Sequence, residues 1–245
     1  SGKEKGKELK DLTELALSGI LYYVSQVINH LIESGGFQTG SDKSKSLKIC
    51  LGGKASTLYK IVFEDSEDQE SLSKMVEKVT GEIFTKGISI EFTHSPKHEV
   101  SYGLLVDKTG ATELDLTDRS HETVIGEDVL VGKDKVGIVS KLDPDSPWRV
   151  KDIAQLKMFL KYLKAYSKIP VNITKKFESD LEGKINAALK DGQSRAQALK
   201  KNMQSVEGDD SLAEIQKTSS IVEPVFILGL KQVIKEITSG KLKLK

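Results

Sequence analysis

The chemistry-bearing residues of this chain concentrate in one stretch, Lys48-Ile49-Cys50-Leu51-Gly52-Gly53-Lys54-Ala55-Ser56. A short apolar run ends in two glycines, followed by a lysine, a small residue and a hydroxyl. A strand that turns tightly into a helix is a standard way to bring backbone against a nucleotide. Glycine removes the Cβ that would keep a ligand off the main chain. The first turn of the helix adds free N–H groups and a partial positive charge. The same pattern also serves as plain punctuation between a strand and a helix. Gly52, Gly53, Lys54 and Ser56 are therefore the candidate nucleotide-binding residues, with the lysine stem and backbone N–H groups covering the base and ribose.

The other constellations are weaker. Asp107-Lys108-Thr109-Gly110-Ala111-Thr112 is similar to the phosphorylation motif of the P-type ion pumps, whose aspartate is a nucleophile. Ala111 departs from that motif, and a turn is expected instead. Asp107, Thr109 and Glu113 have the beginning of a calcium loop, but position 12 is Asp118 where a bidentate Glu is needed. His94 and His98 are four apart, yet Pro96 interrupts any helix that would align them as metal ligands. His30 and His121 are isolated. No Gly-x-Ser-x-Gly elbow occurs. Gly53-Lys54-Ala55-Ser56 lacks the upstream glycine of a P-loop, since Lys48 stands at its place. The dinucleotide fingerprint of a Rossmann fold is likewise missing at this turn. No catalytic residue and no metal ligand is assigned.

Elements that would position the Gly-Gly turn flank it on both sides. Leu12, Leu15, Ala16, Gly19, Ile20, Tyr23, Val24, Val27, Ile28 and Leu31 recur at helical spacing, which predicts a helix over 9–32. Its Leu12/Ile20/Tyr23/Val27 stripe is expected to pack on the sheet. Residues 47–51 and 88–93 read as neighbouring parallel strands, joined by a helix over 71–84 that Gly87 closes. Cys50 lies inside an apolar run and is expected to be a buried structural thiol.

Helix, strand, Gly-Gly-x-x-Ser, helix, strand and then Glu99-Val100-Ser101-Tyr102-Gly103-Leu104 is an order that resembles the actin-like ATPase superfamily. That superfamily holds actin, the seventy-kilodalton heat-shock chaperones and the sugar kinases. Leu51, Gly52, Gly53 and Ser56 match its adenosine motif, and the Tyr-Gly run matches its second connecting helix. The likeness covers roughly residues 9 to 107. It implies a ribonuclease-H-like half-domain and ATP or ADP as ligand, bound weakly by this chain. The superfamily's Asp-x-Gly phosphate motifs have no counterpart here. The resemblance therefore implies the adenosine side of a site, with magnesium and hydrolysis belonging to the rest of a longer protein. Ser1-Gly2 has the look of a cloning scar, which fits a C-terminal piece. Two other readings stand beside it: a non-catalytic interaction or assembly module, and an unrelated Rossmann-like nucleotide-binding domain.

Composition sets the frame. Lys and Arg number 37 against 36 Asp and Glu, a net charge of +1. Such a balance gives no pull toward nucleic acid or anionic membranes, and neither partner is expected. The single cysteine cannot form an internal disulfide, which favours a reducing, cytoplasmic setting. No apolar run reaches the roughly 18–20 residues of a membrane span. The fold class expected is α/β, with a frayed tail over 1–8, an α/β half-domain over 9–107, a β-hairpin insertion and linker over 108–148, and a helical region over 149–245. Gly132-Lys133-Asp134 marks the hairpin turn, and Asp143 to Trp148 a linker or corner. Ile153, Leu156, Phe159, Leu160 and Leu163 form one helical face; Phe177, Leu181, Ile185 and Leu189 form the next. Residues 191–218 are polar and weakly periodic. A last helix is expected over 221–237, with Pro224 near its start. Residues 149–237 are where a protein client or a second copy is expected to dock. The lysine-rich end, 241–245, reads as a solvated tail.

Overall fold

The computed structural model describes residues 2–33, 46–64, 66–80, 84, 87–92, 123–124, 129–136, 139–140, 143, 145–166, 175–204, 223–240 and 242. They form a mixed α/β protein that is mostly helical, with six helices and three small sheets among these residues. The chain divides into two units. The first comprises residues 1–115 and 162–169; the second comprises 116–161 and 170–245. Among the described residues no helix is long and apolar enough to cross a membrane.

The first unit opens with α1, Gly2–Glu33. Strand β1, Leu47–Leu51, runs parallel to β2, Ile88–Phe92, with Leu47 opposite Ile88 and Leu51 opposite Phe92. Between the strands lie two helices, α2 over Gly53–Val62 and α3 over Ser66–Val79. The strand–helix–strand crossover expected from the sequence is present. Gly87 takes a φ of +87°, a left-handed conformation that β-branched residues avoid. Its N–H donates to the Phe84 carbonyl and its own carbonyl accepts from Leu47, so this one glycine turns the chain into β2 and starts the pairing with β1.

The strand pair is clothed on one side. Ile49 points inward, while Lys48 and Cys50 point out. Cys50 is thus an exposed thiol, and the buried-thiol expectation is corrected. A strand alternates its side chains between faces, so Cys50 shares the face of Lys48 and not that of Ile49. On that outer face the Lys48 ammonium meets the Glu91 carboxylate at 2.8 Å.

Helix α1 also departs from expectation. Ile20 is 45% exposed and Val24 38%. The buried face carries Leu15, Ser18, Gly19, Tyr22, Ser25 and Gln26 instead, and its chief partners are α2 and α3 rather than the strands. Residues 15, 18, 22, 25 and 26 follow the helical repeat as well as the all-apolar set does. Serines and glycine let another helix approach closely, which the larger Ile20 would prevent. The Ser25 hydroxyl donates to the Leu21 carbonyl at 2.7 Å and needs no outside partner. Tyr59 of α2 donates its hydroxyl to the Leu17 carbonyl of α1, also at 2.7 Å, and pins the two helices together.

The second unit contains β3 (Thr123–Val124), β4 (Val129–Val131), β5 (Asp134–Val136), β6 (Val139–Ser140) and β7 (Trp148–Val150). β4 and β5 form the expected hairpin: Val131 faces Asp134 across a two-residue turn, and Gly132 holds φ at +64°. Such a turn matches the twist of the strands it joins. β7 adds antiparallel to the other side of β4, and β3 pairs with β6. Asp143 to Trp148 is a corner and not a linker. The Asp143 carboxylate accepts from the Asp145 N–H and the Ser146 hydroxyl, and its carbonyl accepts from the Trp148 indole at 2.6 Å.

Three helices complete this part of the chain: α4 over Ala154–Tyr166, α5 over Lys175–Gln204 and α6 over Val225–Thr238. The final residues of α4, from Tyr162, group with the first unit. Ile153, Leu156, Phe159 and Leu160 pack with Leu181, Ile185 and Leu189 of α5 and Phe226, Leu230 and Val233 of α6, all buried. Phe159 and Phe226 meet edge to face at 5.8 Å. α5 runs to residue 204, well into the polar stretch where the sequence pattern weakens. An Arg195–Asp191 pair at 2.7 Å, one turn apart, supports that extension. α6 starts after Pro224, which has no N–H to give to a preceding turn.

The Tyr-Gly segment at 99–104, the Asp107–Thr112 motif, Asp118, the histidines at 94, 98 and 121, residues 205–222 and the tail beyond Leu242 lie outside the described residues.

Candidate functional site

β1 ends at Leu51, and Gly52 is the N-cap of α2, with φ −112° and ψ 179°. That is ordinary extended backbone, open to any residue. The glycine therefore matters here for access and not for conformation. Gly52 is exposed, and no side chain caps the helix behind it. Nor does an acidic residue stand in the first turn. The first N–H groups of α2 consequently have no side-chain acceptor from the N-cap.

Leu51 and Phe92 are paired, so the start of α2 sits at the carboxyl end of both parallel strands. Ligands of open α/β sheets bind outside the carboxyl ends of the strands. Gly53 and Lys54 form the first turn of α2, and their placement is described for the backbone alone. Ser56 is fully buried. It occupies the fourth position of the helix, on the same side as Gly53, and faces the interior. The turn therefore gathers Gly52, Gly53 and Lys54 at the strand ends, while Ser56 packs beneath them.

Lys48 and Glu91 form an ion pair on the outer face of the strands that lead to the turn. The hydrogen bond that the Lys48 ammonium donates to Glu91, reinforced by the carboxylate's charge, holds the ammonium above its ordinary value. This pair is fully solvated and salt-screened. Among the described residues, no group of three His, Cys, Asp or Glu side chains could hold a metal ion.

Sequence reasoning missed the polar character of α1's inner face. Ser18, Ser25 and Gln26 are each at most 3% exposed. The signal was present: three polar residues recur at intervals of seven and one among apolar neighbours, which places all three on one face.

No family model matches the chain, and neither a curated protein nor a solved structure matches it.

Proposed function

We propose that this chain supplies the adenosine side of an ATP or ADP site, in the manner of the C-terminal portion of an actin-like ATPase, without itself carrying out hydrolysis. The observation that carries the reading is the β1–Gly52–α2 junction. An uncapped helix start, bare of side chain at Gly52, stands at the carboxyl ends of two parallel strands. Backbone N–H groups there suit the ribose and the first phosphate oxygens, and the missing Cβ lets the base approach. Ser56 contributes from below, by packing the helix start and not by touching ligand. The groups that a triphosphate and its magnesium need are not assigned to any residue of this chain. Affinity is therefore weak.

Calorimetric titration of the whole chain with ADP tests the reading. A dissociation constant on the order of 0.1–1 mM is expected, the range left when most phosphate contacts are missing. Gly53→Val should remove the binding. Retention of affinity in that variant would reduce the turn to punctuation and end the nucleotide reading.

The assembly-module reading draws on a different observation. Ile20 and Val24 on α1 and Leu58 and Ile61 on α2 are exposed, Ile61 by 61%. Within the described part of residues 149–237, Met158 is the single large hydrophobic group with comparable exposure. A partner surface would thus favour the outer faces of α1 and α2 over the C-terminal helices.

A further inference from the structure

Helix α1 carries an apolar line on its outer side, which supports an inference that rests on the assembly reading and is independent of the nucleotide one. Leu9, Thr13, Ala16, Ile20, Val24 and Val27 succeed one another at intervals of three and four residues. That is the repeat of one straight line along a helix. Leu9 is 67% exposed, and Ile20 and Val24 are exposed with it. Thr13 brings no unsatisfied donor to the line, since its hydroxyl donates to the Leu9 carbonyl at 2.8 Å. One turn before Leu9, a Cβ built on Gly6 would meet nothing within 4 Å.

Charge along the same helix is segregated, and that selects the occupant. Lys7, Glu8, Lys10, Asp11 and Glu14 crowd the stretch 7–14, whereas residues 15–29 carry no charged side chain. A parallel pair of such helices would stack each charge of 7–14 on its own copy, and juxtaposed like charges repel. An antiparallel pair sets the charged stretch of each helix beside the uncharged stretch of the other. The apolar line fits that order. Setting Leu9 against Val24 of a second copy also sets Thr13 against Ile20 and brings Ala16 next to its own copy. Each pairing then occurs twice about one two-fold axis, as a self-complementary contact requires.

We propose that two copies of this chain associate through α1, antiparallel, with Leu9 of each against Val24 of the other. Thr13 and Ala16 near the centre are small enough for the helices to approach closely. At 1.5 Å per residue the contact from Leu9 to Val24 is roughly 22 Å long. A contact of that length lies at the small end of specific interfaces, so the dimer is weak, with a dissociation constant on the order of 10–100 μM.

Sedimentation equilibrium of the full chain, from about 5 to about 500 μM so as to bracket that constant, tests the pairing. The mass should rise from 26.9 kDa toward twice that value. Leu9→Lys and Val24→Glu should each weaken the dimer about tenfold or more, because each drives a charge into an apolar contact. The two positions are too far apart on one helix to touch. The double variant should nevertheless recover most of the lost association, because the introduced ammonium of each copy then faces the introduced carboxylate of the other. Both sites are exposed, so the melting temperatures of dilute samples should stay unchanged; should Val24→Glu fail to fold, Leu9→Lys alone decides. A dimer that Leu9→Lys leaves intact would place the contact on another surface, overturning the inference while the assembly reading stands. A double variant weaker than either single one would mean parallel helices and overturn the register. A mass that stays at 26.9 kDa throughout would end both the inference and self-assembly.

Discussion

Gly229 shows how closely a single residue can set the packing. A Cβ built there would lie 2.7 Å from Leu156 Cδ2 and 3.3 Å from Ile185 Cδ1. Leu156 and Ile185 are themselves buried at 1% exposure or less, so neither has free space to retreat into. Gly229→Val should cost about 2–3 kcal/mol, since overpacking outweighs the gain in helix propensity; urea unfolding checks this, and an unchanged midpoint would mean the helices separate freely. Two tyrosines give a second prediction. Burial pushes the Tyr23 hydroxyl up to about 12 and raises that of Tyr59 further. Each binds its proton more tightly when folded than in the unfolded chain, where tyrosine titrates near pH 10. Their contribution is therefore fully present below about pH 10 and is lost as pH rises through the folded values. Among the six tyrosines, Tyr23 and Tyr59 should ionise late in an absorbance titration at alkaline pH. The variant Tyr23→Phe, Tyr59→Phe should lose less stability between pH 9 and 11 than the parent. Six tyrosines titrating together would contradict this burial.

Helices and strands obey a pattern that was partly legible before any coordinates. The β1–β2 crossover, the 132–133 hairpin and the inner faces of α4 and α5 follow from alternation and helical spacing. In each, apolar residues sit on one face and turn residues at the ends. α1 was not legible in this way, because its surplus of apolar residues supports two stripes and only the partner helix chooses between them. Small polar residues win, since they admit α2 and α3 at short range. Ile20→Asp should accordingly shift stability by no more than about 0.5 kcal/mol, whereas Leu15→Ala should cost about 2–5 kcal/mol. Thermal melts of the two variants, read side by side, test the assignment, and the opposite ranking would restore the stripe expected from sequence. The protection of β7 was equally hidden. Its free edge is covered by α5, where Asn186 Oδ1 accepts from the Val150 N–H at 2.7 Å and Gln193 Oε1 from the Trp148 N–H at 3.3 Å. Amide side chains here stand in for a neighbouring strand, a device against edge-to-edge pairing that hydrophobic periodicity does not encode. Salt links act on the same elements. Lys157 binds Asp152 at 3.0 Å, with Glu178 and Glu182 of α5 at 3.8 Å, and the Asp152 hydrogen bond raises the lysine above its ordinary value. Lys184 of α5 pairs with Glu236 of α6.

For the molecule as a whole, charge is the governing quantity that sequence gives outright. With 37 basic and 36 acidic residues the chain is close to neutral, and its isoelectric point lies near pH 7.7. Self-association is least opposed where net charge vanishes. Solubility in low salt should therefore pass through a minimum near that pH and rise on either side. Precipitation assays across pH 5 to 10 measure it, and a flat profile would mean that local patches and not net charge control contact between molecules. The candidate site was legible as a turn but not as an access route, because a Gly-Gly pair does not declare whether conformation or clearance requires it. The outward turn of Cys50 adds a chemical consequence. It is the sole thiol of the chain, and it stands two residues before Gly52. A maleimide dye or nitroxide attached there would modify every molecule at one site beside the junction, with no engineering of the sequence. Under oxidising conditions the same thiol can link one chain to another and no more than one, so covalent oligomers should stop at the dimer on a non-reducing gel.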